Sequence, residues 1–221
     1  TDFGLLTANP EIGDDVNEVF KQLTGLGKAT ALKHLWQAPF SLHSNMLKAI
    51  RGETEAARAG KAARIIAKMN SLLEPETIEA LYEASAAGVS IDLIMRGVCS
   101  LRPGIKGLSE NIRVRSVIGR FLEHHRIFYF HAGGEQNIYL SSADWMERNF
   151  FRRIEISFPV LDPKLKQRVL KEGLKPYLAD NSQAWEMNGN GEYQIKPSKR
   201  NRTSAQELLL ADLAVSVVNV T

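Results

Sequence analysis

The chain has 221 residues, 44% of them hydrophobic, and its 28 basic and 25 acidic side chains give a formal charge of +3. That length suits one large domain, or one domain with part of another. No run approaches the ~20 apolar residues of a membrane span, and the charge is too mild to indicate a nucleic-acid partner. Cys99 is alone. An intrachain disulfide is therefore excluded, a reducing cytoplasm is the expected compartment with membrane association left open, and Cys99 reads as packing.

In chain order, TDFGLLTA (residues 1–8) reads as a strand that opens with no cap, leader or polar run, as a piece of a longer polypeptide would. Asn9-Pro10 leads into an amphipathic helix over residues 11–23, with Ile12, Val16, Val19, Phe20 and Leu23 on one face. TGLGKAT is a Gly-rich polar boundary. HLWQAPF is a short strand ending at Pro39, and Ser44 caps a helix that runs to about Arg58. ARIIAKMN is a buried strand. Pro75 opens the helix PETIEALYEASAAG, which Gly88 closes, and VSIDLIMRG is the next strand. This strand–helix–strand unit predicts a right-handed parallel crossover. Ligands gather beyond the carboxyl ends of such strands, so Lys68, Asn70 and Arg96 are expected on one rim.

Over residues 96–153, Arg96, Arg102, Lys106, Arg113, Arg115, Arg120 and Arg126 outnumber Glu110 and Glu123. Gly97, Pro103, Gly104 and Gly107 break the first part into a basic loop, read as feeding a strand that bears His124. HRIFYF and NIYLSS, separated by Gly133-Gly134, predict a hairpin. A basic loop beside a histidine suits a phosphate-rich ligand, because Arg and loop N–H groups bind phosphate oxygens well. RRIEISFPV is a further strand, and residues 162–180 form one helix capped by Asp162 with Pro163 in its first turn. The polar segment 181–203 holds one short hairpin, and a helix with an apolar face spans about residues 204–217.

His124-x-Arg126, SSAD at residues 141–144 and Arg148 together resemble a degenerate phospholipase D motif. Arg126 replaces its lysine, His131 stands where its aspartate would be, and SSAD replaces Gly-Ser-x-Asn. Histidine can attack phosphorus or shuttle a proton, while cations and hydroxyls hold the phosphate oxygens. The longer wording is more specific. TDFGLLTANPEI, IIAKMNSL, RGVCSLRPGIKGLSENIRVRSVIGRFLEH, YLSSADWMERN and LDPKLKQRVL resemble the carboxyl-terminal part of bacterial polyphosphate kinases, from Thr1 to about Val169 and more weakly beyond.

That resemblance implies an α/β fold, a phospholipase D-like mixed sheet flanked by helices. It implies reversible transfer of the terminal phosphate of ATP to inorganic polyphosphate with Mg²⁺, in a tunnel between two related domains. Residues 1–33 would be the end of the preceding catalytic domain and 34–221 the carboxyl-terminal one. The phosphorylated histidine and the metal ligands would lie outside this chain, in the missing amino-terminal part. Arg96 matches the nucleotide-contacting arginine of the family's Arg-Gly element. The histidine of its Leu-Glu-His element falls on His124, with a catalytic and ATP-binding role. Lys68, Arg113 and Arg126 are rail positions for a polyanion or members of surface ion pairs, and Asn70, Ser142 and Asp144 are orienters. His34 and His43 read as structural or surface residues, His125 and His131 as exposed, and Trp145 as core. Lys196, Lys199, Arg200 and Arg202 read as a solvated loop. Expected partners are ATP or ADP, polyphosphate and the rest of the polypeptide, with homo-oligomerisation left open. Two other classes stay open: a phosphodiesterase or nuclease pairing His124 residues in a dimer, and a polyanion-binding module without chemistry.

Overall fold

The structure, a computed structural model, describes residues 1–27, 30–195 and 201–218, without the side chains of 215–218. Lys196, Lys199 and Arg200 of the expected basic loop lie outside the described residues. The elements are α1 (Pro10–Leu23), β1 (Trp36–Ala38), α2 (Leu42–Arg58), β2 (Arg64–Met69), α3 (Pro75–Ala86) and β3 (Ser90–Met95). They continue with β4 (Ile112–Val117), β5 (Arg126–Phe130), β6 (Asn137–Ser141), α4 (Glu147–Phe151) and β7 (Glu155–Pro159). After these come α5 (Pro163–Val169), α6 (Lys175–Ala179), β8 (Ala184–Met187), β9 (Tyr193–Ile195) and α7 (Ala205–Val218).

Nine strands form one mixed sheet in the order β1-β7-β6-β5-β2-β3-β4-β8-β9. β2, β3 and β4 run parallel, and every other pairing is antiparallel. Alternating side chains feed two apolar layers. Ile65, Ala67, Leu93, Val114 and Phe128 face one core with residues of α2 and α3. Ile66, Ile94, Ile127 and Leu140 face another with Leu170, Leu174 and Tyr177. Helices thus cover both faces, the expected fold class. Helix starts follow local chemistry: Asn9 Oδ1 accepts from Ile12 N, and Asp162 Oδ1 accepts from Lys164 N and Leu165 N, satisfying amides that have no partner inside the helix.

Five expectations are corrected. Residues 1–8 form no strand. Both edges of β5 are taken by β2 and β6, so this segment crosses the face of the sheet, with Phe3 packed against the second core. Ser44 lies inside α2, which Ser41 precedes. β4 was hidden by its own arginines: Ile112 and Val114 alternate with Arg113 and Arg115, a period-two pattern inside what reads as a charge cluster. His124 consequently sits not on a strand but in the segment 118–125 joining β4 to β5. Finally, the helix over 162–180 is interrupted by a π turn at Leu170–Leu174. Pro176 has no N–H to give the carbonyl of Glu172, and its ring crowds that carbonyl, so the regular ladder cannot continue.

Gly173 lies within the π turn, and a Cβ there would collide with Ile127 Cδ1 and approach Phe3. Gly173→Ala is expected to cost about 1–3 kcal/mol through overpacking. A denaturant-unfolding midpoint equal to the parent's would count against this packing.

Candidate functional site

The rim beyond β2 and β3 is held together by a buried carboxylate. Asp144, 4% exposed, accepts from Asn70 N at 2.8 Å and Ser71 N at 3.2 Å through Oδ1. Arg126 meets the same carboxylate, Nη2 to Oδ2 at 3.2 Å and Nε to Oδ1 at 3.3 Å, and its Nη1 donates to His124 O at 2.7 Å. On the other side Arg96 Nε donates to Asn70 Oδ1 at 2.8 Å. Arg96 Nη1 is buried with no partner among the described residues. Gly97 keeps this approach close: a Cβ would stand 3.1 Å from Asn70 O and 3.2 Å from Ser71 Oγ, so those neighbours would have to give by a few tenths of an ångström. One chain of bonds therefore runs from Arg96 through Asn70, Asp144 and Arg126 to the backbone of His124.

His124 is exposed, while both of its neighbours are buried. Its Nδ1 lies 2.9 Å from Asp2 Oδ1. With the proton on Nδ1, as that contact requires, Nε2 is the ring nitrogen left for the cleft. Glu123 and His125 point the other way and meet Lys68, whose Nζ donates to Glu123 Oε2 at 2.6 Å and lies 2.6 Å from His125 Nε2. The same ammonium sits 3.4 Å from the centroid of the Tyr177 ring. Lys68 is only 3% exposed and His125 7%, correcting two expectations. Lys68 is not a rail position, because its charge is consumed below the surface. His125 is not exposed, because Lys68 and the Phe3 and Tyr177 rings enclose it.

Burial lowers Lys68 to about 8 even against the pull of Glu123. Burial works to raise Glu123, but the Lys68 charge together with hydrogen bonds from Lys68, Tyr177 and Gln206 outweighs it and holds the carboxyl well below its ordinary value. Burial, helped by the Lys68 charge, lowers His125 far below 6.5. His125 is thus neutral at neutral pH and its Nε2 accepts from Lys68.

A cleft of ≈ 550 Å³ opens above this layer, lined among others by Asp2, His124, Arg126, Ser142, Arg148 and Arg153. Arg148 and Arg153 are exposed and form no ion pair among the described residues. The hydroxyl of Ser142 is committed to Glu155 Oε2, and Asn149 Nδ2 donates to Glu155 Oε1 at 2.6 Å. Arg113 is not brought to this cleft: it lines a separate pocket with Pro103, Gly104 and Met187. Arg153 was missed because it looks like Arg152 in sequence. The end of α4 separates them, pairing Arg152 with Glu147 at 2.8 Å and leaving Arg153 on the cleft.

Of the remaining candidates, His131 departs from its expected exposure, and the others fall where expected or are inert. His34 and His43 pair with Glu11 and Glu74, Trp145 is fully buried, and His131 lies half-buried at the end of β5. Burial pushes the Cys99 thiol up to about 11, which removes it as a nucleophile. Among the described residues, no group of three or more His, Cys, Asp or Glu is placed to hold a metal ion. Guanidiniums dominate the cleft while Asp144 and Glu155 are already bonded, so these donors do not suit Mg²⁺.

Removing one partner of a buried ion pair strands the other, so Lys68→Ala is expected to cost about 3–5 kcal/mol in urea unfolding. A cost near that of an exposed lysine would mean that the pair is not closed. Because His125 and Glu123 both have depressed folded values, the unfolded chain takes up protons that the folded chain does not as pH falls. Stability is therefore lost on acidification, from below 6.5 for His125 and from below 4.5 for Glu123. In His125→Asn the loss between about pH 7 and about pH 5 should shrink; an unchanged slope of midpoint against pH would refute this.

Both the sequence and the fold match known proteins. The family model for polyphosphate kinase C-terminal domain 2 matches residues 35–206. The polyphosphate kinase of Burkholderia cenocepacia (strain HI2424) is 59% identical over 211 residues, covering 96% of this chain and 31% of that protein. That of Paraburkholderia phytofirmans is 60% identical over 210 residues, 95% of this chain and 31% of its own length. The crystal structure of polyphosphate kinase from Porphyromonas gingivalis superimposes with a TM-score of 0.90 at 36% identity, covering 95% of this chain and 32% of that one. The chain spans about a third of the length of these relatives, and it belongs to the polyphosphate kinase family, its residues 35–206 matching C-terminal domain 2.

Proposed function

We propose that this chain forms one wall of a polyphosphate kinase site, which reversibly transfers the terminal phosphate of ATP to inorganic polyphosphate. The observation that carries this is His124, with Nε2 left for a cleft that also presents the guanidiniums of Arg148 and Arg153, unpaired among the described residues. Phosphoryl transfer asks little of a protein beyond positioning and charge neutralisation. Arginines suit the phosphate oxygens of ATP and of the polymer, because each guanidinium presents a fork of donors. Arg96 does not itself line the cleft but is bonded to Asn70, which does; its assignment as the nucleotide-phosphate contact rests on the family's Arg-Gly element. His124 Nε2 holds or moves a proton at the transferring phosphoryl group. Arg126 shapes the cleft from its bond to Asp144. Arg113, away from the cleft, is at most an outer contact of a long polyanion.

The phosphohistidine and the Mg²⁺ ligands are assigned to the remainder of the polypeptide, together with the facing wall. The short coverage of the relatives supports that assignment. Residues 1–33 are proposed as the end of the preceding domain. Asp15 ties α1 to the approach to β1, its carboxylate accepting from the backbone N–H groups of Lys33, His34 and Leu35. ATP, ADP and polyphosphate are the proposed small partners, in the cytoplasm. Among the described residues no helix is long and apolar enough to cross a membrane.

Calorimetric titration of the chain with Mg-ATP and with long-chain polyphosphate tests the reading. Loss of one charge-assisted phosphate contact is worth about 1.5–3 kcal/mol, so Arg96→Ala and His124→Ala should each weaken ATP binding at least about tenfold. The double variant Arg148→Ala/Arg153→Ala should weaken polyphosphate binding and its salt dependence together. Binding indifferent to His124 would point to a polyanion-binding module, and hydrolysis of a generic phosphodiester to the nuclease class. The chain alone is expected to make no polyphosphate; its autophosphorylation from ATP would overturn the split of roles.

A further inference from the structure

We propose that Gln206 of α7 is a positioning residue for His124, acting through the backbone of the segment that carries it. The inference rests on the role given to His124 above. Among the described residues, the His124 ring bonds only to Asp2, so its aim depends on how residues 118–125 are held. Those residues form no ladder with any strand. Their apolar side chains do not anchor them either: Ile118 is 59% exposed, Phe121 39% and Leu122 63%. What holds them is polar.

Gln206 is 5% exposed, and its amide pairs with both main-chain groups of Phe121. Oε1 accepts from Phe121 N at 2.9 Å, and Nε2 donates to Phe121 O at 2.8 Å. Nε2 also donates to Glu123 Oε1 at 2.7 Å, while the other oxygen of Glu123 takes the Lys68 ammonium at 2.6 Å. Beyond Gln206, Thr1 O accepts from His124 N and His125 N at 3.2 Å and Arg126 donates to His124 O; the Gln206 amide holds the side of the loop before His124, at Phe121 and Glu123. Gly119 makes room for it, since a Cβ there would collide with the Gln206 and Gln183 amides.

The clamp is itself fixed. Asp180, 4% exposed, accepts from Ala205 N at 2.8 Å at the start of α7 and from Gln183 N at 2.8 Å on its other oxygen. Gln206 does not line the cleft. A group that never meets the substrate but fixes the backbone on one side of His124 sets how productively bound ATP is aligned, and not how much of it binds. Misplacement of a reacting group by a fraction of an ångström is read in turnover.

The test uses the full-length polypeptide that carries this chain. Gln206→Ala, and Gln206→Met, which fills the same space without hydrogen bonds, are compared with Asn111→Ala. That control removes the bond from Asn111 Nδ2 to Ser85 O, away from the loop. Rates are expressed per folded molecule. Both Gln206 variants are expected to lose kcat by about tenfold while KM for ATP stays within about twofold, and the control is expected to keep both. Parent-like kcat in both Gln206 variants, or a loss matched by Asn111→Ala, overturns the inference. If His124→Ala is inactive while the Gln206 variants are not, the positioning inference alone fails. If His124→Ala retains parent activity, the reading of the site fails and takes the positioning role with it.

Discussion

The ammonium of Lys68 is shut away from water, and much of the site is a consequence of how that charge is accommodated. An isolated charge in an apolar layer costs several kcal/mol, so it has to be paired and hydrogen-bonded. Glu123 supplies the charge, His125 an acceptor nitrogen and Tyr177 an aromatic face. The first two are separated by a single residue. Along an extended backbone, side chains at i and i+2 share a side and i+1 takes the other. Burying Glu123 and His125 on one lysine therefore turns His124 outward, whatever His124 itself prefers. Two adjacent histidines of similar intrinsic chemistry are thus assigned opposite lives: one neutral and enclosed, the other exposed to the cleft. A buried ion pair is weak evidence for stability; its consequence here is geometric.

The parts of this arrangement that were legible in sequence are those written in local signals. The β2–α3–β3 unit, the hairpin around Gly133-Gly134 and the Asp162 cap each depend on residues a few positions apart. Arg96 at the end of β3 was placed by where that strand had to stop. What escaped needs contacts between distant residues. Lys68 at a strand end looks the same whether it faces solvent or a carboxylate 55 positions away. His125 read as exposed because it faces away from His124, and nothing local shows that Lys68 lies on that side. β4 was masked by reading Arg113 and Arg115 as a cluster, when the apolar residues between them carried the period. The first eight residues have strand composition, yet both edges of β5 are already taken by β2 and β6. The family resemblance reached His124 directly; the separation of Arg152 from Arg153 needed the end of α4.

Arginine is used here in two incompatible ways, and the difference is one of prior commitment. Arg126 is spent on Asp144 and on the carbonyl of His124. Its charge is neutralised, and what it contributes to the cleft is shape. Arg148 and Arg153 have no such partner among the described residues and keep their charge for whatever enters. Were Asp144 absent, Arg126 would become a third free cation, but the ends of β2 and β6 would lose the carboxylate that joins them, along with the carbonyl bond that steadies His124. A site for a polyanion needs both kinds. Free guanidiniums supply attraction that acts at a distance and tolerates a sliding polymer. A committed one, Arg126, holds the backbone of His124 at a fixed place, as the proposed transfer to a moving polymer requires. For the proposed phosphoryl transfer, charge alone would bind a polyanion without aligning it, and the bonded arginine is what would turn an attractive surface into an aligned one.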